Sequence, residues 1–380
     1  SKESLTFRGD VSLAASVGAA GTLLLDPRNI VVASGGGDDL AGAVGIDDDG
    51  FAETYSFAED LLAISTIAAG TITALTDIGT AVVLQANNDI TVNEAITTNA
   101  VGPGGDLTLQ AGRSVFINAN ITTDGGTFTV IANDTAANEV QRIDATGAEL
   151  TIASGVDIDT GSGDISLTMS TGTGGTGEDS GDIVFERLTT TGHVFIGQAG
   201  QTSGSSVLRA SANSRVTAGS LTIDISNVAN TAGTIGFLGT ALNTTISNLE
   251  LRTQGGASYI NEFDGLIIGG STLGGLSGIN VGVGDFELTT TGAISQSEAI
   301  VSSGETRLTA LGFSILLGSS NDFGTVVIGG TTTTNVTIND TNALVLGNLN
   351  ITGNLDIDAG GLLTATSVTT TTSGGVALDT

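Results

Sequence analysis

The feature that most constrains this fold is a short glycine-led run that returns along the chain. Gly105 opens the run Gly-Asp-Leu-Thr-Leu, and Gly126 opens a similar run after it. Further pairs of this kind are Gly163 and Gly181, Gly284 and Gly304, and Gly353 and Gly374. A unit of about 20 residues therefore recurs, and self-similarity at such a period is typical of stacked repeat architectures.

Within each unit, apolar and polar residues alternate with period 2. Leu107 and Leu109 in one run, and Phe128 and Val130 in the next, would all point to the same side of a strand. Thr, Val and Ile crowd these runs and favour pleated backbone. A unit this short cannot enclose a core, so it must stack on copies of itself. We predict an all-β chain wound as a parallel β-solenoid, with about 20 residues per coil and roughly 19 coils.

The regular pattern is interrupted once near the beginning of the chain. Residues 1–34 read as the first coils, and residues 35–62 as an acidic excursion that carries Gly35-Gly36-Gly37 and three aromatic residues. Residues 63–380 read as the continuation of one β-helix. Because Gly374–Thr380 resembles the start of another coil, we expect a longer parent chain or a subunit that docks end to end.

Composition excludes several classes of function. The chain has no Cys, so disulfides, thiolate metal sites and iron–sulfur clusters are ruled out. The chain has forty Asp and Glu residues but only ten Lys and Arg residues. The resulting net charge of −30 disfavours binding to nucleic acid or to anionic membranes. No long uninterrupted apolar run is present, so membrane insertion of this segment is not expected.

Five stretches of the chain carry a family resemblance: Gly21–Ile30, Val83–Ile90, Gly105–Ala132, Asn321–Gly324 and Ala343–Gly347. They resemble the coils of filamentous-haemagglutinin-type bacterial exoproteins, the large β-helical adhesins and filament proteins. The Asn-Pro-Asn-Gly motif of the two-partner secretion domain is missing, so the resemblance does not extend to that export route. The resemblance implies a right-handed parallel β-helix, located outside the cell or on the bacterial surface, that serves adhesion or filament formation.

An enzyme built on a β-helix is the rival hypothesis, because polysaccharide lyases and hydrolases also use this architecture. Glycoside hydrolysis needs two carboxylates at a defined separation, and forty acidic residues would supply such pairs by chance. The chain has no Trp, two Tyr and one His, His193, in an alternating strand where an imidazole is usually outward or hydrogen-bonded. No Gly-x-Ser-x-Gly elbow is present. We therefore predict that the chain is not an enzyme.

One acidic loop is a candidate calcium site. Asp47, Asp49 and Glu53 could supply several of the oxygen ligands that calcium prefers, with Gly50 allowing the turn. The alternative is a solvated acidic loop that binds no ion. No other cofactor is expected.

One tripeptide is a candidate adhesion motif. Arg8-Gly9-Asp10 is recognised by host integrins when it is held on an exposed loop. The alternative is ordinary turn chemistry after the strand that Leu5 and Phe7 predict.

These observations together predict a non-enzymatic, extracellular structural β-helix of a bacterial surface protein, which acts in filament or matrix formation and in cell adhesion. The expected partners are further copies or repeats, stacked end to end, and cell-surface or matrix polysaccharide. The alternative function is a polysaccharide-active β-helix enzyme.

Overall fold

The structure is a computed structural model, and it describes most of the chain. The described ranges are 7–8, 22–25, 27–34, 40–41, 60–138, 142, 147–172, 179–198, 204–227, 230–271, 273–330, 332–370 and 374–380. The chain divides into an N-terminal unit, residues 1–192 and 197–202, and a C-terminal unit, residues 193–196 and 203–380. The predicted acidic excursion lies outside the described ranges, except for residues 40–41 and 60–62.

The described secondary structure is almost entirely β. The strands of the N-terminal unit are β1 (Phe7–Arg8), β2 (Thr22–Leu25), β3 (Pro27–Val32), β4 (Leu40–Ala41), β5 (Asp60–Ile67), β6 (Ala81–Ala86), β7 (Ile90–Val92), β8 (Ile96–Thr97), β9 (Leu107–Ala111), β10 (Val115–Ile117), β11 (Ile121–Thr122), β12 (Phe128–Ala132), β13 (Ala148–Ile152), β14 (Asp157–Asp159), β15 (Ile165–Met169), β16 (Ser180–Phe185) and β17 (Arg187–Thr189). The helix described in this unit is α1 (Ala69–Thr76), which buries Ile72 and Leu75.

The C-terminal unit continues the strand order. Its strands are β18 (His193–Gln198, whose last two residues belong to the N-terminal unit), β19 (Val207–Arg209), β20 (Arg215–Ile225), β21 (Leu242–Thr253), β22 (Ser258–Glu262), β23 (Leu266–Ile268), β24 (Ile279–Gly282), β25 (Phe286–Thr290), β26 (Ile294–Gln296), β27 (Ile300–Ala310), β28 (Ile315–Ile328), β29 (Val336–Asp340), β30 (Leu344–Ile351), β31 (Leu355–Ala359), β32 (Leu363–Thr370) and β33 (Val376–Asp379).

In the N-terminal unit the chain passes repeatedly through three stacks of parallel strands. From β6 to β17 it visits the stacks in a fixed order. The first stack pairs β6, β9, β12 and β15. The second pairs β7, β10, β13 and β16, and the third pairs β8, β11, β14 and β17. This is the parallel pairing of a repeat protein, in agreement with the prediction of stacked strands.

The C-terminal unit shows the same arrangement from β22 onward. Its first stack contains β22, β25 and the later parts of β27 and β28, followed by β30 and β32. A second stack runs through β23, β26, the start of β28, β29, β31 and β33. The third contains β24, the start of β27 and the middle of β28.

The predicted coil length holds in only part of the chain. In the C-terminal unit Phe286 pairs with Thr306, and Leu355 with Val376, as the predicted length requires. The N-terminal unit contains a much longer coil, in which Phe128 pairs with Ile165. The runs after Gly163 and Gly181 are not successive coils, because β15 pairs with β12 whereas β16 pairs with β13. The interval between these two glycines therefore separates two sides of one coil.

The cores consist of inward-facing apolar side chains in register. In the first stack of the N-terminal unit, Leu107 pairs with Phe128 and Phe128 with Ile165, and all three are fully buried. The intervening Thr108 and Thr129 are half-buried and face the other side of the strands. Each large aliphatic side chain buried in this way contributes roughly 1.5–3 kcal/mol, so the period-2 pattern accounts for the stacking.

Candidate functional site

Apart from Arg8, the site residues predicted from the sequence lie outside the part of the chain that the structure describes. Asp47, Asp49 and Glu53 lie in the range 42–59, and Gly9 and Asp10 lie in the range 9–21. Arg8 is described only as a backbone position of β1, which pairs with β4. Among the described residues, no group of three or more His, Cys, Asp or Glu residues could hold a metal ion. The calcium site and the adhesion motif therefore stay predictions.

The calcium hypothesis can be tested by thermal unfolding. Millimolar calcium is expected to raise the melting temperature, because an ion that binds only the folded state stabilises it by about 2.7 kcal/mol at 100 times its Kd. The double variant Asp47→Asn/Asp49→Asn should lose the increment. The matched control Asp356→Asn/Asp358→Asn removes two exposed carboxylates from β31 and should keep it. Identical melts in chelator and in calcium would reject the site.

The most regular constellation in the described residues is the junction where a new strand of the first stack begins. Gly105, Gly126 and Gly163 lie directly above one another in the N-terminal unit. A β-carbon on Gly126 would lie 2.3 Å from the Gly105 carbonyl oxygen, and one on Gly163 would lie 2.1 Å from that of Gly126. The C-terminal unit repeats the arrangement, since a β-carbon on Gly256 would lie 1.6 Å from the Gly233 oxygen. Only glycine allows this approach of backbone to backbone.

The Asp or Asn that follows the glycine also has a structural role at these junctions. The Asp106 carboxylate accepts the Thr127 backbone N–H of the next coil at 2.8 Å, and Asp285 accepts that of Glu305 at 2.8 Å. Asn354 accepts the Gly375 N–H at 2.9 Å. These side chains therefore supply an acceptor to a backbone N–H of the next coil at the corner between strands.

Sequence reasoning missed a second junction residue, a threonine three positions before the glycine. The hydroxyl groups of Thr123 and Thr160 donate to the carbonyl oxygens of Gly126 and Gly163. The Thr253 hydroxyl donates to the Gly256 oxygen at 2.8 Å in the C-terminal unit. All three threonines are buried. The recurring spacing Thr-x-x-Gly was visible in the sequence and would have identified them.

One buried amide binds four strand segments of the C-terminal unit together. Asn321 in β28 is fully buried, and its Nδ2 group donates to the backbone oxygens of Ser319 and Asn339 at 2.9 and 2.8 Å. Its Oδ1 atom accepts the Ile300 N–H at 2.9 Å and the Gln296 Nε2–H at 2.9 Å. The side chain therefore uses its donors and its acceptor within β28 and on the neighbouring strand segments β26, β27 and β29.

Two buried carboxyl groups also organise backbone. Glu262, which is fully buried, accepts the Thr244 hydroxyl at 2.5 Å and the Ile246 N–H at 3.2 Å. Asp340 accepts the Phe323 N–H at 2.8 Å. Burial raises the pKa of both carboxyl groups, despite these hydrogen bonds. Their contribution to stability is therefore greatest below the ordinary carboxyl pKa and is lost as pH rises through the raised values.

A polar cluster surrounds the single histidine. The His193 Nδ1 atom and the Ser220 hydroxyl form a hydrogen bond, and the Ser220 oxygen lies 3.2 Å from that of Ser271. The Thr222 hydroxyl donates to the Ser271 oxygen at 2.8 Å, and the Ser271 backbone N–H donates to Glu250 Oε1 at 3.1 Å. We refer to His193, Ser220, Thr222, Glu250 and Ser271 as the polar cluster.

The cluster contains the residue types of a nucleophilic enzyme but not an accessible nucleophile. A serine beside an imidazole is the pair that activates a hydroxyl for attack. Ser220, however, is 2% exposed and lies on strand β20 against Ser271. A substrate carbonyl could not approach its oxygen while Ser271 stays in place. The geometry supports a hydrogen-bonded network, which matches the interpretation of His193 from its strand.

Comparison with known proteins gives one finding. Residues 265–329 and 333–380 match the model of a family described as repeats of unknown function (DUF5649). These segments correspond to β23–β33 of the C-terminal unit. No curated protein matches the chain, and no solved structure does either. The match supports a repeat protein, and it names no relative of the filamentous-haemagglutinin type.

Within the described ranges, no helix combines the length and the apolar character needed to cross a bilayer.

Proposed function

We propose that this chain is a non-enzymatic structural module, a right-handed parallel β-helix that belongs to an extracellular or bacterial surface protein. Its role is to form filament or matrix material and to present surfaces for cell adhesion. The observation that carries the proposal is the junction described above. Gly256 packs against the Gly233 carbonyl oxygen, and the Thr253 hydroxyl donates to the Gly256 oxygen. In the next coil, the Asp285 carboxylate accepts the backbone N–H of Glu305. The recurring geometry here serves stacking, not a reaction.

Charge supports the same role. Three arginines pair with carboxylates of a neighbouring coil: Arg113 with Asp89, Arg187 with Asp157, and Arg252 with Asp224, the last at 2.7 Å. These ion pairs place three of the ten cationic side chains in contacts between coils. The net charge of −30 leaves the surface strongly acidic. Such a surface favours solubility and repels anionic partners, and divalent cations could bridge two copies.

End-to-end self-association is part of the proposal, because the region of β32 and β33 presents apolar side chains to solvent. Leu362, which precedes β32, and Val376 and Leu378 of β33 are 75%, 49% and 45% exposed. An added coil, from further repeats or from a second copy, would bury them against a new parallel strand. Cell-surface or matrix polysaccharide is proposed as the second partner.

Electron microscopy and sedimentation test this function. Purified protein is expected to form regular fibres, and their mean length should grow with protein concentration. The measurement is made both with and without calcium. Leu378→Lys should shorten them, because it places a charge on the stacking edge. The control Val101→Lys changes a fully exposed valine of the N-terminal unit and should leave them unchanged. Isolated particles at every concentration, or release of reducing ends from a polysaccharide, would overturn the proposal.

A further inference from the structure

The polar cluster lies on the side of the sheet that the sequence pattern assigns to solvent. Leu221 and Ile223 of β20 face the core, so the alternating Ser220 and Thr222 face the other way. Glu250 lies beside Thr222 in the neighbouring strand β21, because the two residues are paired in register. Ser220, Thr222 and Glu250 are nevertheless buried, with 2%, 0% and 1% of their surface exposed.

The group that buries them is the segment that follows β23. We call residues 269–271 the cover. Gly269 and Gly270 have φ values of +95° and +82°, which only glycine adopts readily, and these two left-handed residues turn the chain back over the sheet. Asn248 donates to the Gly269 oxygen at 2.7 Å, and Ser271 carries the hydrogen bonds to Thr222 and Glu250.

In this contact, the hydrogen bonding of the Glu250 carboxyl group is incomplete. Its Oε1 atom accepts the Ser271 N–H, but its Oε2 atom is buried without a hydrogen-bond partner. An ionised carboxylate in that position would be desolvated and only half satisfied. A second carboxyl group, Glu298, lies against the cover, since a β-carbon on Gly269 would be 2.5 Å from its Cγ atom. Ser277 donates to that carboxylate at 2.9 Å.

We propose that the cover is a pH-sensitive latch, closed while Glu250 is protonated and released when Glu250 ionises. Release would expose Ser220, Thr222 and the imidazole of His193 on the outer face of the sheet. The proposal concerns a local opening of the C-terminal unit and does not depend on the assembly role proposed above.

The direction of the pH dependence follows from the environment of Glu250. Burial raises its pKa, the charge of Glu298 raises it further, and the N–H groups of Ser271 and Gly270 partly offset both effects. An open cover would return Glu250 to water and to its ordinary pKa. The closed state is therefore favoured fully below that ordinary value, and the advantage disappears as pH rises through the raised value. The other titratable or charged groups near Glu250 are His193 in the cluster and the ion pair of Asp224 with Arg252, which lies two residues further along the same face of β20 and β21.

Hydrogen exchange across a pH series tests the latch on the full chain. Peptides that contain Gly270 and Ser271 are expected to lose protection at least tenfold as pH rises from about 4 to about 8, after correction for the intrinsic rate. Peptides from β22 should keep theirs and serve as the internal reference. Glu250→Gln, which is uncharged at every pH, should hold the cover closed throughout. Glu298→Gln should weaken the transition, because it removes a charge that raises the pKa of Glu250 in the closed state.

Three outcomes would overturn the latch. The cover could show the same protection at every pH in the wild type. Glu250→Gln could retain the transition. His193→Gln could abolish it while Glu298→Gln leaves it in place, which would assign the transition to the imidazole. If Glu250→Gln does not fold, as judged by circular dichroism, the response of Glu298→Gln decides the matter alone.

Discussion

Alanine at Gly256 is expected to destabilise the C-terminal unit by about 3 kcal/mol or more, at the upper end of what overpacking a core costs. Its β-carbon would lie 1.6 Å from the Gly233 carbonyl oxygen, and the displaced atom is backbone. Backbone cannot rotate away as a long side chain can. The strand must move, and that movement also disturbs the Thr253 hydrogen bond to the Gly256 oxygen.

Urea unfolding followed by circular dichroism measures this effect. The matched control is Gly318→Ala in β28, where a β-carbon would have nothing within 4 Å and the backbone φ is not in the left-handed region. We expect that control to change stability by no more than about 0.5 kcal/mol, as for other exposed positions. Equal stabilities for the two variants would mean that the glycine repeat does not mark a close backbone contact.

The repeat could be predicted from the sequence because its cause is local. A glycine that must approach the coil before it, and an Asp or Asn that must accept an N–H from the coil after it, recur where strands begin. Gly105-Asp106 and Gly284-Asp285 show this directly. Stacked strands with one buried face follow from the period-2 pattern, because alternation leaves no other way to bury Leu107 and Leu109.

The number of residues per coil could not be predicted as well, because the segments that connect successive strands vary in length. The long coil from Phe128 to Ile165 keeps the strand register, and its extra length lies between the end of β12 and the start of β13. Such insertions lie outside the stacked strands, so the core places little constraint on their length. The similarity between the runs at Gly163 and Gly181 reflects their shared strand chemistry and not equivalent places in successive coils.

The polar cluster could not be predicted because its burial comes from elsewhere in the chain. Ser220 and Thr222 occupy outward positions of a strand, and alternation assigns such positions to solvent. Both side chains contact Ser271, which follows β23, and no local pattern links the two segments. The adjacent glycines at 269 and 270 were the available signal, because paired left-handed positions indicate a reversal of the chain.

Leucine at Asn321 is the second change for which we expect a large loss of stability, at least about 3 kcal/mol, because each buried backbone group left unsatisfied costs about 1–3 kcal/mol. The side chain would remain buried and similar in size. The Ile300 N–H and the carbonyl oxygens of Ser319 and Asn339 would, however, lose their partner. The loss should appear in urea unfolding as a lower midpoint with an unchanged slope.

Asn321→Asp separates hydrogen bonding from size at the same position. A carboxylate could still accept the Ile300 N–H but could not donate to the two carbonyl oxygens, and it would place a charge in the core. We expect it to destabilise the unit at neutral pH and to recover in part as pH falls, because protonation returns one donor. The control Asn213→Leu changes an exposed asparagine and should stay within about 0.5 kcal/mol of wild type. A wild-type midpoint for Asn321→Leu would show that the coils are held together by their apolar faces alone.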